Sequence, residues 1–369
     1  MSGLPPGNFI EQLSDKEIYW RDRYDWLLES GYRLRPRYKP DWVPSWITNP
    51  QLFFVDCEDS LTNPRGIICD AIRLKDKSQV VLKRVNKTKH QNELDIHCYL
   101  SEKSDPKNHT VPLIEILNPE DCPSDSIVVM PQCRAWNTPE FETVGEVVDF
   151  IGQLFEGYKY LHENLVAHRD VKKENIVMES TALSEEHFHI FDQDFSLDLT
   201  KKVSPSKTRT EGKPRYYIID FGISRHYEGT ENPPYEITRM FGSDTSVPEF
   251  RNLEEPHNPF PIDVFCLGKM IYRKALCSKA ETLGFEWLVP LLEDMTRTDP
   301  ASRPTMEEVV TRYGELTRGL REGKLRSKFA LDWDTMDWFD HATRVIPHWW
   351  KRMCFTVART PAIPTYRPD

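Results

Sequence analysis

His168-Arg169-Asp170-Val171-Lys172-Lys173-Glu174-Asn175 is the stretch that decides the fold of this chain, together with Asp220-Phe221-Gly222 further along. Each stretch stands at the end of an apolar run. If Asp170, Asn175 and Asp220 converge with Lys83 on one cleft, these polar groups are costly to bury unless a ligand and a metal ion satisfy them. The pattern therefore indicates a site for a charged ligand.

Further motifs stand in a fixed order around these two stretches. They are Val80-Val81-Leu82-Lys83, Glu93-Leu94-Asp95-Ile96-His97-Cys98-Tyr99-Leu100, Ile127-Val128-Val129-Met130-Pro131-Gln132-Cys133, Val247-Pro248-Glu249, Asp263-Val264-Phe265-Cys266-Leu267-Gly268 and Asp299-Pro300-Ala301-Ser302-Arg303-Pro304-Thr305. In this order they resemble the eukaryotic protein kinase superfamily across residues 52–318, with His-Arg-Asp as its catalytic loop and Asp-Phe-Gly as its magnesium loop.

The resemblance implies a two-lobed α+β fold. The N-lobe would hold an antiparallel β-sheet with one main helix, and the C-lobe would be mostly α-helical. It also implies phosphoryl transfer, which needs an aligned nucleophile and neutralised charge. Asp170 would be the base and Lys172 would face the γ-phosphate, while Asn175 and Asp220 would hold Mg²⁺.

The same resemblance assigns the ATP-binding residues. Lys83 would contact the α- and β-phosphates and pair with Glu93 of the main N-lobe helix. Three hinge residues, with Met130 as the gatekeeper, and one glycine complete the set: Met130, Gln132, Cys133 and Gly66.

The sequence thus predicts an ATP- and Mg²⁺-dependent protein kinase, and Lys172 favours Ser/Thr acceptors. Two alternatives stay open. The chain could be a pseudokinase that serves as a binding or scaffold module. It could also be a small-molecule kinase of the aminoglycoside-phosphotransferase type, although such enzymes usually carry His-Gly-Asp in the catalytic loop and lack the Ala-Pro-Glu and late-arginine pair.

The Gly-rich loop departs from the kinase pattern. It aligns with Leu61-Thr62-Asn63-Pro64-Arg65-Gly66, where only the last glycine is kept. Glycine lets backbone amides approach phosphates because it has no Cβ. Pro64 removes one amide donor outright. This departure is the main reason for keeping the pseudokinase alternative.

A second departure is His97, at a position where a leucine usually stacks behind the active site. The polar ring would either loosen the helix or find a hydrogen-bond partner, which is the commoner outcome for a buried polar group.

A third departure is an insert at about residues 180–214, since loops of that length are usually functional or disordered. His187, His189, Asp192 and Asp194 lie in it, but without a second ligand cluster we expect no metal site there. Its second half is basic and could bind an acidic or phosphorylated partner.

The chain is expected to divide into an N-terminal arm (1–51), an N-lobe (52–133), a C-lobe (134–318) and a C-terminal tail (319–369). In the arm, residues 18–28 can form a helix, and the prolines that follow favour an extended chain. The tryptophans of the arm should pack on the kinase body, and those of the tail indicate a docked segment. A regulatory partner could bind the arm or the insert.

Composition narrows the class of protein further. The net charge of −10 argues against a general nucleic-acid or anionic-membrane binder. No apolar run is long enough to span a membrane. The eight cysteines form no Cys-x-x-Cys pair, so neither zinc nor a disulfide framework is indicated. We expect an intracellular protein, cytoplasmic or nuclear, that acts on a protein substrate.

Two finer expectations concern regulation and subfamily. A phosphate in the segment from Asp220 to Glu249 could pair with Arg169 and order that segment. The Pro-rich arm, with Pro40-Asp41-Trp42-Val43-Pro44, and the long insert resemble kinase-like proteins expanded in mushroom-forming fungi.

Overall fold

The computed structural model describes residues 12–62, 66–228, 234–237, 246–252, 254–276, 284–329 and 349–364. The chain forms two compact units. Unit 1 comprises Met1–Gln91, Pro112–Gln132 and Ser184–Ser204, and unit 2 comprises Asn92–Val111, Cys133–Leu183 and Pro205–Asp369. None of the described helices is long and apolar enough to cross a membrane.

Unit 1 is built on a five-stranded antiparallel sheet. Its strands are β1 (Tyr32–Leu34), β2 (Ile68–Arg73), β3 (Gln79–Asn86), β4 (Glu115–Leu117) and β5 (Asp125–Pro131). Their order across the sheet is β1-β2-β3-β5-β4. Side chains alternate between the two faces of a strand, so β3 buries Val80 and Leu82 in one apolar cluster.

The N-terminal arm packs on this sheet, which confirms the prediction that it docks on the kinase body. It forms two helices, α1 (Asp15–Arg21) and α2 (Tyr24–Glu29), in place of the single helix predicted for residues 18–28. The Ser14 hydroxyl and the Glu17 carboxylate form a capping box that starts α1. Trp20 is fully buried in the apolar cluster of the sheet.

β1 places the start of the N-lobe earlier than predicted, because Tyr32–Leu34 pairs with β2 as an edge strand. Residues 35–67 are therefore the connection between two strands of one sheet, and the predicted boundary at residue 51 falls inside it. The expected extended chain is interrupted by short helical turns, among them α3 (Ser45–Thr48) directly after Pro44. Proline is tolerated at a helix start because its missing N–H would have no partner there.

A buried arginine fixes this connection to the arm. Arg37 is completely buried, and its Nε donates to the Glu17 carboxylate at 2.8 Å. Its Nη1 donates to the Asp59 carbonyl at 2.6 Å. The Asp59 carboxylate in turn accepts from the Trp42 indole at 3.0 Å. The buried Arg37 charge is thus paired with Glu17. It joins the arm to the start of the connection, where Arg37 lies, and to its later part at Asp59.

The middle of the predicted insert also belongs to unit 1. Phe188 is buried, and its backbone N and O are both bonded by the side chain of Gln79, at 3.0 and 2.8 Å. The His189 ring lies 3.3 Å from the Glu58 carboxylate. The insert is thus an ordered part of this unit over residues 184–204. The described residues contain no group of three or more potential His, Cys, Asp or Glu metal ligands, in the insert or elsewhere.

Helix α4 (Lys87–Ser101) leads from unit 1 into unit 2, which is mostly helical, as predicted for the C-lobe. The other helices of unit 2 are α5 (Val144–Glu163), α6 (Arg209–Gly212), α7 (Pro259–Met270), α8 (Val289–Met295), α9 (Met306–Arg318) and α10 (Glu322–Leu325), with a π-helix at Ile271–Leu276. Its short strands are β6 (Arg134–Ala135), β7 (Val166–Ala167), β8 (Ile176–Met178), β9 (Tyr216–Ile218), β10 (Arg225–His226), β11 (Glu236–Ile237) and β12 (Pro256–His257).

α5 forms the centre of unit 2. Thr143 caps it by accepting from the Glu146 backbone N–H. The Tyr313 hydroxyl of α9 donates to the Val148 carbonyl at 2.7 Å. The apolar face of α5 lies in the main core cluster.

The end of the predicted insert packs on α5 through buried polar groups. The Thr210 N–H and hydroxyl donate to the Glu146 carboxylate at 3.0 and 2.8 Å. Nearby, Gln153 donates to the Asp149 carboxyl at 2.8 Å. Burial raises the pKa of Asp149 to about 7, and the Glu146 carboxylate contributes in the same direction.

The described part of the C-terminal tail docks on unit 2, as the sequence predicted. Ala362 and Ile363 pack against the main core, and the Lys351 ammonium lies 2.7 Å from the Glu142 carboxylate. Trp349 and Trp350 are exposed. The tail's other two tryptophans, at positions 333 and 338, lie outside the described residues.

Candidate active site

The catalytic loop lies in unit 2 between β7 and β8. The Asp263 carboxylate holds its backbone in place. Asp263 accepts from the His168 N–H at 2.7 Å and from the Arg169 N–H at 2.8 Å. Arg169 has φ of 66°, which is unfavourable for a residue with a side chain. The two bonds from Asp263 offset this strain, which confirms the predicted role of Asp263.

His168 is fully buried and connects this loop to the strand before Asp220. Its Nδ1 accepts from the Asp170 N–H at 3.3 Å, which assigns the ring proton to Nε2. Nε2 then donates to the Ile219 carbonyl at 3.1 Å. The Ser224 hydroxyl donates to the His168 carbonyl at 2.9 Å, so both sides of the loop are fixed.

A column of rings stands behind the loop. The ring centroids of His168 and Phe221 are 5.5 Å apart, and those of Phe221 and His97 are 6.0 Å apart. His97 Nε2 lies 2.9 Å from the Val111 carbonyl, which is the hydrogen-bond partner expected for this polar ring. The histidine is therefore a satisfied member of the column.

Asp170, Lys172 and Asn175 come together as predicted. Asp170 Oδ2 accepts from the Lys172 ammonium and, at 3.0 Å, from the Asn175 amide. The same amide also donates to the Asp170 carbonyl at 2.9 Å. Asp170 Oδ1 is buried, and no donor among the described residues reaches it. A buried acceptor without a donor is costly, so this oxygen is poised to accept a hydrogen bond from a ligand.

Asn175 and Asp220 are brought to one edge by the pairing of β8 with β9. The Ile219 N–H, directly before Asp220, donates to the Asn175 carbonyl at 3.0 Å. Asp220 has φ of 68°, a conformation that is costly for a residue with a side chain and clusters at functional sites. The Asn175 side-chain nitrogen donates to Asp170, so the side-chain oxygen is the atom that could bind a metal ion. Carboxylate and amide oxygens are the ligands that Mg²⁺ prefers.

The predicted ATP-binding residues divide between the two units. Lys83 lies on β3, opposite Ile68 and Val128, and Met130 lies near the end of β5, opposite Val81. Glu93 is a buried residue of α4 and belongs to unit 2. Its pairing with Lys83 stays a prediction.

At the predicted hinge, Gln132 faces the insert. Its N–H donates to the Gln79 carbonyl at 3.1 Å, and its side-chain amide donates to the Phe188 carbonyl at 3.3 Å. Burial raises the pKa of the next residue, Cys133, to about 12, so its thiol stays protonated. The role of these two residues in ATP binding stays a prediction.

Gly66, the remaining glycine of the predicted Gly-rich loop, contacts the N-terminal helix. Its carbonyl accepts from the Trp20 indole at 2.9 Å, and a Cβ on it would lie 2.2 Å from Cβ of Lys16. Its φ of +67° also favours glycine. Packing against α1 therefore explains this glycine without any phosphate, and its predicted role in ATP binding is untested. The three residues before it lie outside the described residues.

Two features near the site were missed by sequence reasoning. One is the pair of hydrogen bonds between the Gln79 side chain and the Phe188 backbone, here called the Gln79 clamp. The sequence carries no local signal for it. The other is Glu236, which lies 3.2 Å from Arg169 of the catalytic loop. The sequence carries no local signal for this contact either.

The comparisons with known proteins agree with this geometry. The family model described as the protein kinase domain matches residues 65–283, more than half of the chain. A light-sensor protein kinase of Ceratodon purpureus is 32% identical over 142 residues, 37% of this chain and 10% of that protein. The serine/threonine-protein kinase CAK1 of Saccharomyces cerevisiae is 31% identical over 136 residues, 37% of this chain and 28% of that protein.

A third relative, the serine/threonine-protein kinase ULK3 of Xenopus laevis, is 30% identical over 79 residues, 21% of this chain and 16% of that protein. The chain thus covers less than a third of the length of each of these relatives. The family match, the two-lobed α+β architecture and the catalytic loop agree, and the chain belongs to the protein kinase domain family.

Proposed function

We propose that this protein is an ATP- and Mg²⁺-dependent kinase that phosphorylates Ser or Thr hydroxyls of a protein substrate. The observation that carries the proposal is the state of Asp170. One carboxylate oxygen is held by Lys172 and Asn175, and the other is buried without a donor among the described residues. That second oxygen would accept the proton of the substrate hydroxyl as the hydroxyl oxygen bonds to the γ-phosphorus of ATP. The bond from that phosphorus to the β,γ-bridging oxygen would break, so that ADP leaves.

The surrounding residues supply charge and position. The Lys172 ammonium, next to Asp170, would neutralise charge on the transferred phosphoryl group. Asn175 and Asp220 would hold Mg²⁺, which supplies charge neutralisation at the phosphates when bound. Lys83, with Glu93, would hold the α- and β-phosphates. Lys172 and the names of two relatives support Ser/Thr acceptors.

Phosphate transfer from labelled ATP with Mg²⁺ tests the proposal. The chain is incubated alone and with a generic basic protein, beside Asp170→Asn, and the labelled amino acid is identified after hydrolysis. We expect labelled phosphoserine or phosphothreonine from the wild type. We expect at least about a 1,000-fold lower rate from the variant, because general base catalysis and alignment are lost together.

A second candidate function draws support from Gly66, because its packing against α1 accounts for a glycine there without a phosphate. In that case the chain is a pseudokinase that binds a partner. Folded wild-type protein that transfers no more phosphate than Asp170→Asn at high ATP would contradict the kinase proposal and favour this alternative.

A further inference from the structure

The segment that follows the magnesium loop carries a carboxylate between two arginines. Glu236 Oε1 lies 3.2 Å from Arg169 Nε of the catalytic loop. Its other oxygen, Oε2, accepts from Arg225 Nη1 at 2.8 Å. The Glu236 side chain is 9% exposed and that of Arg169 is 18% exposed. The contact to Arg169 is an ion pair by distance, and the contact to Arg225 is also a hydrogen bond.

Backbone pairing places these three groups in unit 2. Arg225 lies on β10, where it pairs with Ala167, and Ala167 leads directly into His168 of the catalytic loop. Glu236 lies on β11, where it pairs with His257 of β12. The carboxylate therefore connects a strand of the segment from Asp220 to Glu249, the activation segment, to the loop that carries Asp170.

Two guanidinium groups that converge on one acidic group form the kind of site that binds a phosphate. The sequence had predicted such a phosphate, on a hydroxyl between Asp220 and Glu249, as the partner of Arg169. In the structure Arg169 has an ion-pair partner that is always present, the Glu236 carboxylate. Thr230, Thr238, Ser243 and Thr245 of the same segment lie outside the described residues. A phosphate added on the neighbouring Tyr235 would carry a charge of about −1.5 to −2. It would be repelled by the Glu236 carboxylate, which already forms ion pairs with Arg169 and Arg225.

Tyr227 is a poor candidate for such a phosphate. Its side chain is buried, 4% exposed, at the same cluster. Burial, followed by the Glu236 carboxylate, raises the pKa of its hydroxyl well above the usual value. A modifying enzyme would have to extract this ring from the unit before it could reach the oxygen.

We propose that Glu236 is a positioning residue that replaces an activating phosphate. Its carboxylate holds Arg169, and through it the catalytic loop with Asp170, so that the kinase is active with an unphosphorylated activation segment. This inference rests on the proposed phosphoryl transfer and adds its mode of regulation.

The test compares phosphorylated states and variants of the whole chain. Wild-type protein is treated with a protein phosphatase, freed of it, and shown by mass spectrometry to carry no phosphate between residues 220 and 249. Initial rates of transfer to a generic basic protein are then measured with Glu236→Gln, Glu236→Asp and Glu228→Gln. Glu228 is an exposed carboxylate of the same segment and serves as the matched control.

We expect the dephosphorylated wild type to transfer phosphate as fast as the untreated protein. Glu236→Gln should lower kcat by about 10- to 100-fold, because a misplaced catalytic group costs rate in this range. Its KM for ATP should stay unchanged. Glu236→Asp, which keeps the charge, should recover most of the rate, and Glu228→Gln should match the wild type.

Two results would overturn the inference: loss of transfer on dephosphorylation of the wild type, or an unchanged kcat in Glu236→Gln. If Glu236→Gln does not fold, the dephosphorylated wild type decides alone. Absence of transfer from the wild type in both states is a different result, since it contradicts the proposed function itself.

Discussion

The guanidinium of Arg303 and the carboxylate of Glu249 form two parallel hydrogen bonds, Nη1 to Oε1 and Nη2 to Oε2, each 2.7 Å long. Both side chains are buried, at 0% and 3% exposure, so the predicted structural ion pair is confirmed. Such a pair need not add net stability, but removing one partner leaves an uncompensated charge. The pair therefore fixes the end of the activation segment to the loop before α9.

We predict that Arg303→Gln lowers the free energy of unfolding by about 3–5 kcal/mol, the cost of leaving a buried carboxylate without its partner. Denaturant unfolding followed by fluorescence measures this change. Arg297→Gln is the control, since Arg297 pairs with Asp294 while its own side chain is 54% exposed. This surface pair should contribute no more than about 1 kcal/mol. Equal losses in the two variants would contradict the prediction.

A second prediction concerns Gly66. Gly66→Ala adds a Cβ that would lie 2.2 Å from Cβ of Lys16, at a backbone φ of +67°. We expect it to destabilise the protein by about 1–3 kcal/mol, because both strain and overpacking oppose it. Thermal unfolding, with hydrogen exchange in α1, measures the effect.

Gly314→Ala gives a control of opposite sign. Gly314 lies within α9, and no atom lies within 4 Å of the Cβ that alanine would add. Alanine is favoured over glycine inside a helix by about 0.5–1 kcal/mol, so this variant should be more stable than the wild type. Destabilisation by Gly314→Ala, or none by Gly66→Ala, would count against the geometry described for these two sites.

A third prediction concerns the insert. Gln79→Ala removes both side-chain bonds to the Phe188 backbone. We expect faster amide exchange and faster tryptic cleavage in residues 184–204, because segments with few remaining contacts open locally at low cost. Gln79→Glu is the matched control: it can still accept from the Phe188 N–H but cannot donate to the carbonyl, so its effect should be intermediate. Unchanged cleavage in Gln79→Ala would show that the Gln79 clamp does not hold the insert.

A fourth prediction concerns pH. The pKa of Asp149 is raised from 3.8 to about 7, so the folded protein binds this proton more tightly than the unfolded chain. The resulting stabilisation is complete below the unfolded value of 3.8 and is lost as pH rises through about 7. In this window Asp149→Asn should remove a slope of up to about 1.4 kcal/mol per pH unit, the value for one proton.

Unfolding free energies of both proteins, measured at several pH values in that window, check this prediction. Asp198→Asn is the control. The Ser196 and Thr200 hydroxyls lower the pKa of Asp198 to about 2, so its carboxyl does not titrate in the same window. Parallel curves for the wild type and Asp149→Asn would contradict the assignment.

The contacts of Asp170 with Lys172 and Asn175 were the part of the candidate site that sequence could predict. Asp170, Lys172 and Asn175 lie within six residues of one another, so a short loop brings them together without help from distant contacts. Asp263 and the Glu249–Arg303 pair are distant in sequence. They were predicted because each stands in its own recognisable motif.

The parts that sequence reasoning missed depend on contacts between distant, weakly marked residues. β1 has three residues, too few for an alternating pattern, and its status as a strand comes from pairing with β2. The insert was expected to be a loop because nothing near Phe188 indicates that Gln79 binds its backbone. Glu236 lies on β11, which pairs with the distant β12, so its charge alone could not indicate the contact with Arg169.

Unit 1 is built from three separate stretches of the chain, and these stretches are synthesised at different times. Its last stretch, Ser184–Ser204, follows the catalytic loop in the chain, although the unit begins at the N-terminus. The side chain of Gln79 can bond the Phe188 backbone only when residue 188 has left the ribosome. Since domains generally fold as units during synthesis, the unit that begins first cannot be completed until the catalytic loop has been made. A nascent chain that ends between residues 132 and 184 therefore contains the strands of unit 1 but lacks the segment that Gln79 bonds.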